Sequence, residues 1–173
     1  RPPPRTVEEQ IHPVEHYSRH KAQCEKRVKA SQLTWSIFRL SATLPIAIQL
    51  DPGMFDVPLE NRMEFAFTRD VGLAFANGVS NPHIWGKTLL IGGGARCQYT
   101  YRQIVGRILE AMGVGELPAE AFADVPFCTD WVDSSESQRL LQYQRHDLED
   151  YVDEMIQRAG WRRHLIRLFR PIA

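Results

Sequence analysis

Charge of one sign is what this sequence lacks first: 21 Lys and Arg balance 21 Asp and Glu. A chain without a net field has no global attraction to nucleic acid, so none is expected as a partner. Long apolar runs are missing too. No stretch approaches the ~20 residues of a membrane helix, and the opening "RPPPRTVEEQ" has no apolar centre of a signal peptide, so no membrane partner is expected either. Cysteine is scarce. Cys24, Cys97 and Cys128 are odd in number, far apart and never spaced C-x-x-C, which argues against a disulfide framework and a zinc ribbon and fits a reducing cytoplasm. Internal repeats are absent, and the only biased tract is the opening prolines. What remains is an ordinary globular composition, 43% apolar over 173 residues, enough for one domain with a real core.

Along the chain the elements alternate. Residues 1–13 form a Pro-rich extended lead-in, because each proline fixes its own φ and moves its predecessor away from α. Pro13 then opens a helix over residues 15–30, with Tyr17, Lys21, Cys24 and Val28 along one side while Glu25, Lys26, Arg27 and Lys29 solvate the rest. "TWSIFRLS", residues 34–41, is short, aromatic and β-branched, a buried strand. Residues 42–63, punctuated by Pro45, Pro52, Gly53 and Pro58, read as a long loop. "MEFAFT" is a strand, and Asp70 stands where it would cap a following short helix ending near Gly78. "KTLLIGGG" is a strand entering a turn that needs positive φ and close backbone approach. Thr100 and Gln103 match a capping box, after which Ile104, Val105, Ile108, Leu109 and Met112 make an apolar stripe stopping at Gly113. Helices are expected from about Ser134 and over residues 147–158, where Leu148, Tyr151, Val152, Met155 and Ile156 share a side and Gly160 ends the run. The pattern is α/β.

Several residues could carry chemistry. Tyr17 and Lys21, one helical turn apart, aim at a common volume. A free phenol titrates near ~10, and a neighbouring ammonium favours the phenolate, so such a pair is a usable acid/base. "HPVEH" has the H-x-x-E-H order of some zinc proteases, but Pro13 starts the helix between its histidines and no third ligand follows, so these read as solvated histidines and no metal is expected. Ser41, Ser134 and Ser135 sit in no G-x-S-x-G elbow. Arg96 and Arg102 are read as solvated surface, with a substrate phosphate as the other possibility. The tail "WRRHLIRLFRPIA" is basic and amphipathic. Its apolar side is expected to pack on its own domain, an anionic lipid surface or a partner being the alternative.

Taken in order, "HYSRHKAQCEKRVKAS" with "LTWSIFRLS", "EFAFTRDVGLAFANGV", "GKTLLIGGG", "YTYRQIVGRILEAMG" and "TDWVDSSESQRLLQYQRH" resemble successive segments of the extended short-chain dehydrogenase/reductase family, the NAD(P)-dependent epimerases and dehydratases. The resemblance covers residues 14–160. It implies the carboxyl-terminal part of a Rossmann-type, doubly wound fold plus a small mixed α/β substrate-binding subdomain. On that scheme residues 14–41 are the catalytic helix and following strand, and residues 42–173 the remaining sheet elements, the substrate-binding subdomain and the final helices. It further implies NAD or NADP as cofactor and a sugar or nucleotide-sugar-like substrate. Tyr17 would be the proton donor or acceptor, and Lys21 its helper on the nicotinamide ribose, so that both are catalytic and cofactor-binding. Backbone around residues 40–42 would approach the nicotinamide, although "RLSATLP" departs from the family's usual Arg-Pro there. The family's spaced glycine turn, acidic ribose ligand and catalytic Ser or Thr precede the Tyr, and the three contiguous glycines of "IGGGARC" cannot replace that turn. The expectation is therefore a carboxyl-terminal fragment, inactive alone and prone to homo-oligomerise; a non-catalytic NAD(P)-sensing protein of the same fold is the alternative.

Overall fold

The structure, a computed structural model, describes residues 4–13, 15–47 and 51–169. Two small sheets organise it. In the first, β1 (Ile37–Leu40) pairs in parallel with β4 (Thr88–Ile91), Ile37 opposite Thr88 and Leu40 opposite Ile91. In the second, β2 (Ala42–Thr43) runs parallel to β3 (Arg62–Ala66), which pairs antiparallel with β5 (Gln98–Thr100). Only Ser41 separates β1 from β2, so the chain steps directly from one sheet into the other.

Strand alternation puts helices on both faces of the parallel pair. Phe38 turns one way, its ring 5.0 Å from that of Phe75 on α2 (Thr68–Val79). Arg39 turns the other way and donates two hydrogen bonds of 2.8 Å to Glu25 on α1 (His16–Lys29). The parallel pair is thus wound on both sides, the hallmark of a sheet whose connections are helices.

Two apolar clusters hold the molecule. One lies between the mixed sheet and the helices α3 (Tyr101–Ala111) and α5 (Leu148–Ala159), and contains Phe65, Phe67, Ile104, Leu109, Leu148, Tyr151 and Met155. The other joins β4, α2 and α4 (Ser135–Leu141) through Val71, Ala74, Leu89, Ile91, Leu141 and Tyr143. At roughly 1.5–3 kcal/mol for each large side chain removed from water, these clusters outweigh any surface ion pair here. The expected signals operate as read: Thr100 N–H donates to Gln103 Oε1 at 2.8 Å, Ile104, Val105 and Leu109 of the stripe are buried with Ile108 and Met112 half-buried beside them, and Gly113 ends the helix at φ +83°. Asp147 caps α5 by accepting from the Glu149 and Asp150 amides.

Four readings need correction. Residues 42–63 are not one loop: β2 and a short 3-10 helix (Pro52–Asp56) interrupt them, and Val57 and Leu59 enter the first core. Asp70 does not cap α2, whose N-cap is Phe67; it lies in the first turn, buried, with its carboxylate bonded to the segment 145–146. On α1 no residue is buried, and the side facing the sheet carries half-buried Ser18, Ala22 and Glu25, not Tyr17, Lys21, Cys24 and Val28. Glu25 is an anchor rather than a solvating charge. In the tail, α6 (Arg162–Leu168) also has no fully buried residue: Leu165 and Ile166 are partly covered and Leu168 stays in water. Arg170 lies outside the described residues.

Candidate active site

Glu25 and Arg39 fix how α1 runs. The helix ends near Lys29 and the chain enters β1 at Ile37, so the helix passes back along the strand, with Glu25 level with Arg39. The guanidinium, first through its hydrogen bonds, holds the Glu25 carboxyl below its ordinary range. Tyr17 is eight residues before Glu25, or about 12 Å farther along the helix at 1.5 Å per residue, which takes it past the carboxyl end of β1. In open parallel sheets that end is where ligands bind.

The structure does bring Tyr17 and Lys21 together: the Lys21 ammonium lies 5.3 Å from the centre of the Tyr17 ring. Tyr17 is 67% exposed. The helix start beneath them is held by the Glu15 amide, which donates to Ser18 Oγ at 3.3 Å, and by Cys128, whose thiol donates to Glu15 Oε1 at 3.3 Å. Burial, then that contact, pushes the Cys128 thiol up. A phenol and an ammonium so placed can exchange a proton with a hydroxyl or carbonyl and donate hydrogen bonds to a polyhydroxy ligand on the same side.

The sequence placed only the backbone of residues 40–42 near the nicotinamide and weighed the Ser41 hydroxyl only as a nucleophile. Ser41, the first residue beyond β1, continues the pairing through its amide, which donates to the Ile91 carbonyl at 2.9 Å. Its hydroxyl is buried and has no hydrogen-bond partner among the described residues. An orphaned hydroxyl at a strand's carboxyl end fits a polar ligand group there, since an unmet buried hydroxyl costs ~1–3 kcal/mol. Nothing in the sequence marked that hydroxyl as unmet.

The other polar groups are accounted for by architecture. Asp70, 2% exposed, accepts from the Arg145 and His146 amides at 2.8 and 2.9 Å and approaches His146 Nδ1 at 2.6 Å. The imidazole stacks on Phe67, ring centres 4.7 Å apart. The Tyr143 hydroxyl donates to the Gly92 carbonyl at 2.8 Å and accepts from its amide at 3.1 Å, tying residues 134–147 to the glycine turn. That turn needs its glycines: Gly94 sits at φ +79°, and a Cβ on Gly92 would collide with the Glu64 carboxylate. Cys97 is buried, its thiol pushed up to about 12 chiefly by burial, which disqualifies it as a nucleophile. Arg96 lies 3.8 Å from Asp147, and Arg102 2.7 Å from Glu60, both at the surface. No group of three metal-ligating side chains converges among the described residues. A cleft of about 400 Å³ lined by Asn81, His83, Lys87, Arg139 and Leu140 opens at the amino end of β4, the end where such sheets do not place their sites.

The class this fold defines is the α/β fold of the short-chain dehydrogenases/reductases: the carboxyl-terminal part of a Rossmann-type sheet with a smaller mixed unit beside it. Three solved structures make the likeness concrete. A short-chain dehydrogenase/reductase superfamily protein from Agrobacterium tumefaciens with bound NAD superposes with a TM-score of 0.71 at 15% identity, covering 95% of this chain and 63% of that one. A UDP-glucose 4-epimerase from Thermotoga maritima with UDP-glucose gives 0.70 at 16%, covering 94% and 58%. A UDP-glucose-4-epimerase from Stenotrophomonas maltophila with bound NAD and formylated UDP-arabinopyranose gives 0.68 at 16%, covering 95% and 60%. The chain therefore spans about three fifths of these proteins' length. No protein-family model and no curated protein matches it.

Proposed function

We propose that this chain is the carboxyl-terminal part of an NAD(P)-dependent epimerase, dehydratase or reductase of the extended short-chain dehydrogenase/reductase family, acting on a sugar or nucleotide-sugar substrate. The observation that carries the reading is the Lys21 ammonium at 5.3 Å from the Tyr17 ring, on a helix locked by Glu25 and Arg39 to the first strand of the parallel pair. NAD in two of the three neighbours and a UDP-sugar in two support the cofactor and substrate class. When bound, the nicotinamide supplies the hydride acceptor. The chain's own residues do the rest. Tyr17 exchanges the proton of the substrate hydroxyl at the carbon that changes oxidation state, Lys21 donates to the cofactor ribose, and the Ser41 hydroxyl meets a polar group at the end of β1. The enzyme works as a homo-oligomer in the cytoplasm, a compartment in keeping with three unpaired thiols.

The test uses the complete gene product, with NAD and UDP-glucose as probes. Tyr17→Phe is expected to lower turnover by about 10²–10⁴-fold, the usual weight of a general acid/base, while NAD binding persists. Unchanged turnover in that variant would sink the catalytic assignment. NAD binding without turnover of UDP-glucose, UDP-glucuronic acid or dTDP-glucose by the unaltered protein would favour the sensing role.

A further inference from the structure

An amphipathic helix normally turns its apolar side to the protein and its charges to water. α6 does the opposite. At about 100° per residue, Trp161, Leu165, Leu168 and Phe169 share an arc of about 100°, with Arg163, Ile166 and Arg167 on the other side and Arg162 and His164 at the flanks. The arginine side is the one seated on the molecule. Gly113 packs so closely under this helix that a Cβ there would collide with the Arg163 carbonyl and press on the Arg167 amide. The apolar side is left outward: Trp161 is 67%, Leu168 75% and Phe169 81% exposed.

The charges around this face are of one sign. Residues 158–169 contain four arginines and a histidine and no acidic residue. Arg158 pairs with Glu154, but Arg162, Arg163 and Arg167 form no ion pair among the described residues.

We propose that α6 docks the protein on an anionic lipid surface, with Trp161, Leu165, Leu168 and Phe169 in the headgroup boundary, Arg162 at their flank on lipid phosphates, and Arg163 and Arg167 behind them adding attraction within a Debye length. Charge complementarity selects this occupant, and so does size. A helix of seven residues is about 10 Å long, too small to supply the ~800 Å² per partner of a standard protein interface, whereas lipid binding grows with apolar area and charge from any starting size. It lies in the boundary and does not cross, since no helix among the described residues is long and apolar enough to span. The inference is independent of the catalytic reading.

Cosedimentation of the full chain with phosphatidylcholine vesicles, with and without phosphatidylserine, tests it. Binding is expected only to the phosphatidylserine vesicles, and added salt weakens it. The double variant L168E/F169E should reduce partition by ~10-fold or more, Arg162→Gln by about fivefold, and Arg167→Gln, on the far side of the helix, by less. All four side chains are exposed, and circular dichroism should show the fold retained. No sedimentation, equal binding to neutral vesicles, or indifference to L168E/F169E overturns the proposal. So does a dimer that L168E/F169E dissociates in the absence of lipid, which would assign the face to a second copy.

Discussion

Glu64 is a fully buried carboxylate whose burial is partly offset by hydrogen bonds. It lies on β3 with no exposure, and three donors converge on its carboxylate: the Gly94 amide at 3.1 Å, the Val132 amide at 2.9 Å and Gln98 Nε2 at 2.9 Å. Burial still wins over the donors and pushes its pKa up. A carboxyl raised in the folded state contributes stability that is complete below the ordinary ~4.3 and is lost as pH rises through the raised value. Glu64→Gln removes the buried charge but sets an NH₂ against one of the three donors. One unmet buried donor costs ~1–3 kcal/mol, so the variant is expected to lose about that much, measured by urea unfolding. The gap between the two proteins should narrow as pH rises from the ordinary value through the raised one. A gap that widens with pH would mean that the donors, not burial, dominate. Ser41 is the contrasting residue, a buried hydroxyl with no donor or acceptor to meet it among the described residues, and that difference separates a structural polar group from a ligand-ready one.

α1 differs from every other long helix in having no buried side chain, so its attachment rests on polar contacts, chiefly the paired bonds from Arg39 to Glu25. Arg39→Met should cut that attachment. Amide exchange in α1 is then expected to quicken by about tenfold or more, given ~1.5–3 kcal/mol for hydrogen bonds to a charged group, while the amides of α3 and α5 keep their protection. Because the Glu25 carboxyl is held below its usual range, the contact is complete above the ordinary ~4.3 and is lost only as pH falls through the lowered value. Equal acceleration in α3 would show that the helices open together and that α1 is not separately held. This element also marks where the sequence stopped being legible. α3 and α5 were readable because caps and apolar stripes agree, so local signal and tertiary burial coincide. On α1 the most apolar stripe, through Tyr17, Cys24 and Val28, faces water, and the inward stripe is Ser18, Ala22 and Glu25. A lone arginine inside "WSIFRLS" was the available hint. β2 and β5, two and three residues long, carry too little pattern to read, and Asp70 satisfied the rule for a cap while its true partners lay 75 residues away. The Tyr17 and Lys21 pair was singled out by its spacing together with the resemblance of the segments around it; the isolation of the Ser41 hydroxyl was not legible, since it exists only in three dimensions.

At the scale of the whole molecule the decisive feature is the outer edge of β1. The Ile37 and Ser41 amides donate to the Lys87 and Ile91 carbonyls, so by the alternation of a parallel ladder the amides of Phe38 and Leu40 point away from β4. No strand among the described residues pairs with that edge. Apolar side chains surround it: Leu40 is 46%, Phe75 51% and Val79 78% exposed. A bare edge beside apolar surface is a template for another strand. The 173-residue chain alone is therefore expected to self-associate as its concentration rises, as light scattering over a dilution series would show. Leu40→Lys puts a charge on the edge and removes one apolar contact of ~1.5 kcal/mol or more, so it should raise the dissociation constant by about tenfold. L168E/F169E should leave that constant unchanged if the edge and α6 are separate surfaces. A monomer at every concentration would mean that the edge is protected despite its free amides, whereas association indifferent to Leu40→Lys would move the interface elsewhere on the molecule.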